Sequence, residues 1–270
     1  MKEIFFPHPH IPGFKADILG YIGSWPIANS TTFLWFTTVS FFIIIFFFFR
    51  FKAIPGVFQS LVEILFEKIE NLIKSLSGGK DHRAAELLFP ITAVFFIVGF
   101  INIVGSFPII NQILWSENGH LVPLFRKATS DINTTLGLAI AIVLSIQVFG
   151  IQNWGFFGYF SRFFPLKHLA QSTTKGVGAF FMALIELFVG FLEFISEIVK
   201  IISLSLRLFG NMFAGEILLA ILTGMFAFGL PALWLGFDLM VAVIQTLVLG
   251  CLVSVYYLLV VKEKGQKSGH

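Results

Sequence analysis

Cysteine occurs once in this chain, at Cys251 inside an apolar run, so no disulfide framework holds it together and cysteine usage points to no redox compartment. Charge is scarce too. Asp, Glu, Lys and Arg make up 12% of the residues, about half of what a soluble domain carries. No Gly-rich phosphate cradle and no nucleophile constellation is present, which argues against nucleotide chemistry within the chain. The stretch from Met1 to Ser24 contains Lys2 and Lys15 but no compact signal-peptide pattern with a small-residue cleavage site, which leaves the first apolar run to act as its own insertion signal.

What is abundant is apolar. Such residues form 57% of the chain, mean hydropathy is +0.90, and 36 phenylalanines include the runs Phe41–Phe42 and Phe46–Phe49. A surface this greasy is made for lipid. The net charge of +3 and pI near 9.0 do not indicate nucleic acid, because the Lys and Arg are scattered through short loops, as expected on the cytoplasmic side of a bilayer.

The apolar runs give an all-α integral membrane protein of about five membrane helices, including a long tilted C-terminal hairpin, plus an amphipathic interfacial helix. A first span covers residues 31–50 and crosses roughly 30 Å of hydrocarbon. Residues 56–76 differ: Glu63, Glu67, Glu70 and Lys74 mark one face and Leu61, Ile64, Leu65, Ile69, Leu72 and Ile73 the other, so this helix lies at the interface or against a partner. Residues 86–150 hold spans two (Leu87 to Phe107) and three (Asp131 to Gly150), joined by an external segment, Ile109 to Ser130, read as a loop with at most a short helix. From Gly176 to Met225 no proline or turn interrupts an apolar stretch of about 70 Å as a helix, so it is either two spans or one tilted helix. Gly229 and Pro231 then turn the chain into a last helix, Ala232 to Val261.

Charge bias chooses between these topologies. Arg50, Lys52, Lys68, Lys74, Lys80 and Arg83 put the side after span one in the cytoplasm, as do Arg162, Lys167 and Lys175 after span three, and Lys262, Lys264 and Lys267 in the tail. One long helix satisfies all three groups; two spans would leave the tail outside. The expectation is therefore an external segment at 1–30, a tilted hairpin at 176–261 and a cytoplasmic tail at 262–270.

The long helix carries a polar stripe. At about 100° per residue, Glu186, Glu193, Glu197, Lys200, Arg207 and Asn211 fall within about 40° of the Glu193 direction, over about 37 Å. Glu216 points about 140° away. In the last helix Asp238 and Gln245 share a face, and Asp131 and Asn133 begin span three. One Arg in a membrane costs roughly 2.5–3.5 kcal/mol, so the stripe must face water, an ion path or a protein. Plainer readings stand beside this one. Lys200 with Glu193 or Glu197 makes a static ion pair, Glu186 reaches the interface, Asp131 is an N-cap, and Asn211 and Gln245 bond neighbouring helices.

The run Ser203-Leu-Ser-Leu-Arg207-Leu-Phe-Gly-Asn211-Met-Phe-Ala-Gly-Glu216 closely resembles the signature of subunit a of F-type ATP synthases, around that family's essential arginine. The likeness extends to Asn102-Ile103-Val104-Gly105-Ser106-Phe107-Pro108, to Ser130-Asp131-Ile132-Asn133-Thr134-Thr135 and to Gln245, covering about Ile54 to Val260. Two positions depart from it. Many members have His where this chain has Asp238, which leaves two acids, Asp238 and Glu216, to share protons; many also have Pro where Ile201 stands.

The resemblance implies a non-catalytic stator subunit facing a rotating c-subunit ring, with peripheral-stalk b subunits and the lipid bilayer as further partners and no cofactor, metal or nucleic acid. Arg207 would hold an arriving ring carboxylate ionised; a charge at about 4 Å contributes about 4 kcal/mol at an effective dielectric of about 20. Lysine is less suited, because burial discharges it. By depth along the helix, Glu216, Asp238, Asn211 and Gln245, with Asp131 and Asn133, belong to an outer half-channel and Glu193 to a cytoplasmic one. The expected location is a bacterial inner membrane, N-terminus outside and C-terminus cytoplasmic. A proton-coupled secondary transporter is the alternative, but it would show an internal repeat with paired broken helices. Haem is disfavoured, since His8, His10, His82, His120, His168 and His270 all lie outside the expected spans.

Overall fold

A computed structural model of the protein describes residues 13, 16–48, 56–77, 81–107, 113–117, 120–163, 177–226 and 229–267. The basic positions Arg50, Lys52, Lys80, Lys167 and Lys175, with His8, His10, His168 and His270, lie outside the described residues.

Helices dominate because the apolar runs have no water with which to satisfy their backbone, and a helix satisfies it internally. In chain order they are α1 (Asn29–Phe48), α2 (Val57–Ser77), α3 (Asp81–Gly105), α4 (Ile132–Trp154), α5 (Phe156–Phe163), α6 (Val177–Met225) and α7 (Leu230–Lys267). The stretches Asn29–Phe46, Leu88–Gly105, Ile132–Trp154 and Leu230–Val260 are each long and apolar enough to cross a membrane. Their outward faces are apolar: Phe46 is 79% exposed and Phe89 83%.

Several boundaries follow from local chemistry. Pro90 lies inside α3 without ending it, as happens in membrane helices whose neighbours make good the lost bond. Gly155, at φ 74°, stops α4 in the left-handed conformation that glycine tolerates best. Ile69 and Ile73 on the apolar side of α2 are buried while Glu63 and Glu67 are exposed. The Phe66 and Phe96 rings lie 5.3 Å apart, joining α2 to α3. The 49 residues of α6 form one continuous helix, so the possibility of two spans in this stretch is set aside.

Strand appears where no strand was expected. β1 (Ile18–Ile22) and β2 (Trp25–Ala28) form an antiparallel hairpin, with Gly23 supplying the positive φ of a tight turn. The segment from Ile109 to Ser130, expected as a loop with a short helix, instead holds a second hairpin, β3 (Leu114–Glu117) with β4 (His120–Pro123), and a 3-10 turn at Ala128–Ser130. Strands of four or five residues are too short for their alternation to stand out from the apolar runs around them.

Two compact units share this chain. The first comprises Met1–Gly137 with Ser205–Val255, the second Leu138–Leu204 with Tyr256–His270. In the first, Phe33, Ile101 and Ala128 form a buried core flanked by Leu34, Val104 and Phe125. Within it α3 and α7 run antiparallel and close, because glycine faces a bulky side chain at successive levels. A Cβ at Gly250 would lie 2.1 Å from the Phe95 ring, and one at Gly99 would lie 2.9 Å from Thr246 Cγ2. Small residues of this kind let membrane helices approach.

Candidate functional site

The first unit contains an unusual buried hexapeptide. From Arg126 to Asp131 every residue is buried, although the run includes an arginine, a lysine and an aspartate. Burying charge is tolerable only with partners in place, and for the two cations the anions come from the two long helices. Arg126 Nε donates to Glu216 Oε2 at 3.3 Å, Arg126 Nη2 donates to the Gly13 carbonyl at 2.8 Å, and the guanidinium lies 6.0 Å from the Phe213 ring centre. The Lys127 ammonium is ion-paired with Asp238, and both are buried. Glu216 and Asp238 are thus each bound to a separate cation.

Glycines shape this site. A Cβ at Gly105 would stand 3.1 Å from Lys127 Cγ, and one at Gly215 2.8 Å from Asp238 Oδ1. Beside them, Asp131 sits at the start of α4, where its Oδ1 accepts the Asn133 backbone N–H at 3.2 Å. Its Oδ2 accepts from Ser30 Oγ at 2.7 Å and Thr134 Oγ1 at 3.2 Å. That is an N-cap reinforced from α1. Asn133 itself is exposed.

Further along the hairpin, Asn211 Nδ2 donates to Gln245 Oε1. The Gln245 Nε2 group is buried and has no partner among the described residues, nor do the two amide atoms of Asn102. The α3–α7 register places Asn102 one turn beyond the Gly99–Thr246 contact, toward the level of Asp238. Arg207 is half-buried, and among the described residues no acceptor lies within hydrogen-bonding or ion-pair reach of it.

In the second unit the polar residues are mutually engaged. Buried Glu197 takes Lys200 Nζ at 2.7 Å on one oxygen and Gln147 Nε2 at 2.8 Å on the other. Gln147 in turn accepts the Tyr159 hydroxyl, and Lys200 lies 5.2 Å from the Tyr256 ring centre. Glu193 is half-buried and Glu186 exposed.

A family model described as ATP synthase A chain matches residues 31–258. The chain belongs to the ATP synthase A chain family. Similar proteins include ATP synthase subunit a 2 of Vibrio campbellii, 30% identical over 247 residues that cover 87% of this chain and 88% of that one. ATP synthase subunit a of Wigglesworthia glossinidia brevipalpis is 28% identical over 266 residues, covering 89% and 87%. That of Desulforamulus reducens is 30% identical over 212 residues, covering 75% and 66%. As an ATP synthase A chain this is a non-catalytic membrane subunit of an ATP synthase, with a part in proton translocation.

Arg126, Lys127, Gln147 and Tyr159 are members of these two polar clusters that the sequence did not single out in this A chain. One signal for the first two was present. Adjacent cations in a segment that charge bias assigns to the outside run against the positive-inside tendency, and such cations need anions nearby. Gln147 and Tyr159 carry no comparable signal.

Proposed function

We propose that this A chain translocates protons through two offset half-channels where it faces a rotating c-subunit ring, coupling the proton gradient to ATP synthesis. Arg207 carries this reading. It is a half-buried guanidinium on an apolar helix, with no anion of the described chain in reach. A membrane cation without an internal counter-ion calls for one from outside, and a carboxylate on a passing ring subunit supplies it. Arginine keeps its proton, so it ionises the arriving acid and bars a direct proton leak.

The outer half-channel comprises Glu216, Asp238, Asn211, Gln245, Asp131 and Asn133, and Asp131 also caps the start of α4. The unpartnered amides of Gln245 and Asn102 favour water in this path, since buried polar atoms are nearly always satisfied. Glu193 serves the cytoplasmic half-channel. The N-terminus is outside and the C-terminus cytoplasmic in a bacterial inner membrane, and peripheral-stalk b subunits bind alongside.

The test is ATP-driven acidification of inverted vesicles bearing Arg207→Ala in the assembled complex. Loss of pumping with normal subunit content is expected. Undiminished pumping would remove the central role of Arg207 and with it the mechanism.

A further inference from the structure

Glu216 and Asp238 are bound by adjacent residues of one buried loop, and those two residues differ in the chemistry open to them. A guanidinium stays protonated in a protein, whereas a buried lysine can discharge. Arg126 therefore keeps its proton beside Glu216. In the Lys127–Asp238 pair the N–H···O hydrogen bond is a route along which one proton can move, breaking Nζ–H and forming O–H on Asp238. That transfer turns two buried charges into a neutral amine and a neutral carboxyl. It removes the cost of holding both ions out of water.

The surroundings are built for this pair. Gly105 leaves room for the lysine stem and Gly215 for the carboxylate. Ser130 Oγ donates to the Lys127 carbonyl at 2.9 Å, holding the loop in place. Among the described residues Asp238 is the one side-chain acceptor bonded to Lys127 Nζ. The other charged groups nearby are committed: Glu216 to Arg126, and Asp131 to its cap and Ser30. Building on the proton-transport reading above, we infer that Lys127 is a proton-carrying residue of the outer pathway, exchanging a proton with Asp238, while Arg126 keeps its charge and holds the loop against Glu216.

A structural ion pair and a relay respond oppositely to arginine, which keeps the charge and cannot release the proton. The experiment compares Lys127→Arg, Lys127→His and Lys127→Met in the assembled complex, with Arg207→Ala alongside. Inverted vesicles are assayed for ATP-driven acidification, and for passive proton conduction after the soluble catalytic sector is stripped away. The histidine variant should conduct within about threefold of wild type, and the arginine and methionine variants at least about tenfold more slowly, at equal subunit content. An assembled Lys127→Arg complex that pumps like wild type overturns the relay, because charge alone then suffices. Where arginine is too large to assemble, histidine against methionine decides: a gap of about tenfold supports the relay, and equal rates overturn it. Arg207→Ala separates the two levels. If it pumps, the proton-transport reading itself falls; if it is inactive while Lys127→Arg pumps, only the relay falls.

Discussion

Replacing Gly250 by alanine tests the close approach on which the first unit depends. The added methyl would meet three atoms of the Phe95 ring at 2.1, 2.2 and 2.5 Å, where ordinary contact begins at 3.4 Å. The ring or its helix must therefore retreat by at least about 1.3 Å, the difference between 3.4 and 2.1 Å. Phe95 is only 5% exposed, so it has little free space to enter. Overpacking of this kind costs about 1–3 kcal/mol, and each kcal/mol lowers a midpoint by about 2–4 °C for chains approaching this size. The assay is thermal release of the subunit from the detergent-solubilised complex, followed on native gels. Phe95→Leu shortens the opposing side chain, so the double variant should be more stable than the sum of the singles by about 1 kcal/mol or more. A Gly250→Ala subunit released at the wild-type temperature would refute the packing argument. So would strict additivity with Phe95→Leu, which would mean that the two residues do not meet.

The same release assay checks two further substitutions. Asp131→Ala removes the cap of α4 and should lower stability by about 1–2 kcal/mol, with Asp131→Asn retaining most of it because asparagine caps as well. Lys200→Met leaves buried Glu197 with Gln147 as its one remaining hydrogen-bond partner among the described residues and should cost about 3 kcal/mol, whereas Lys200→Met with Glu197→Leu should recover most of that loss.

Legibility followed the range of the physics. The spans were readable because a membrane helix needs only an unbroken apolar run, and α1, α3, α4 and α7 each have one. The continuity of α6 was readable from the absence of proline together with the basic residues at either end of the topology. Asp131 followed a local rule as well, since a cap spans only the three residues after it. The short hairpins were not legible, because four or five residues give too few alternations to register above the surrounding apolar background.

The ion pairs belong to another scale. Arg126 and Glu216 are separated by 90 positions, and Lys127 and Asp238 by 111. No periodicity along one element reports on a contact of that range. The sequence by itself determined a membrane-embedded helical chain, a polar stripe on one helix and an arginine that must face something other than lipid; burial cost and helical geometry require these from local residues alone. Only the tertiary structure decided which charges meet, because pairing depends on how helices and loop pack in three dimensions. That packing gave the two acids separate cations.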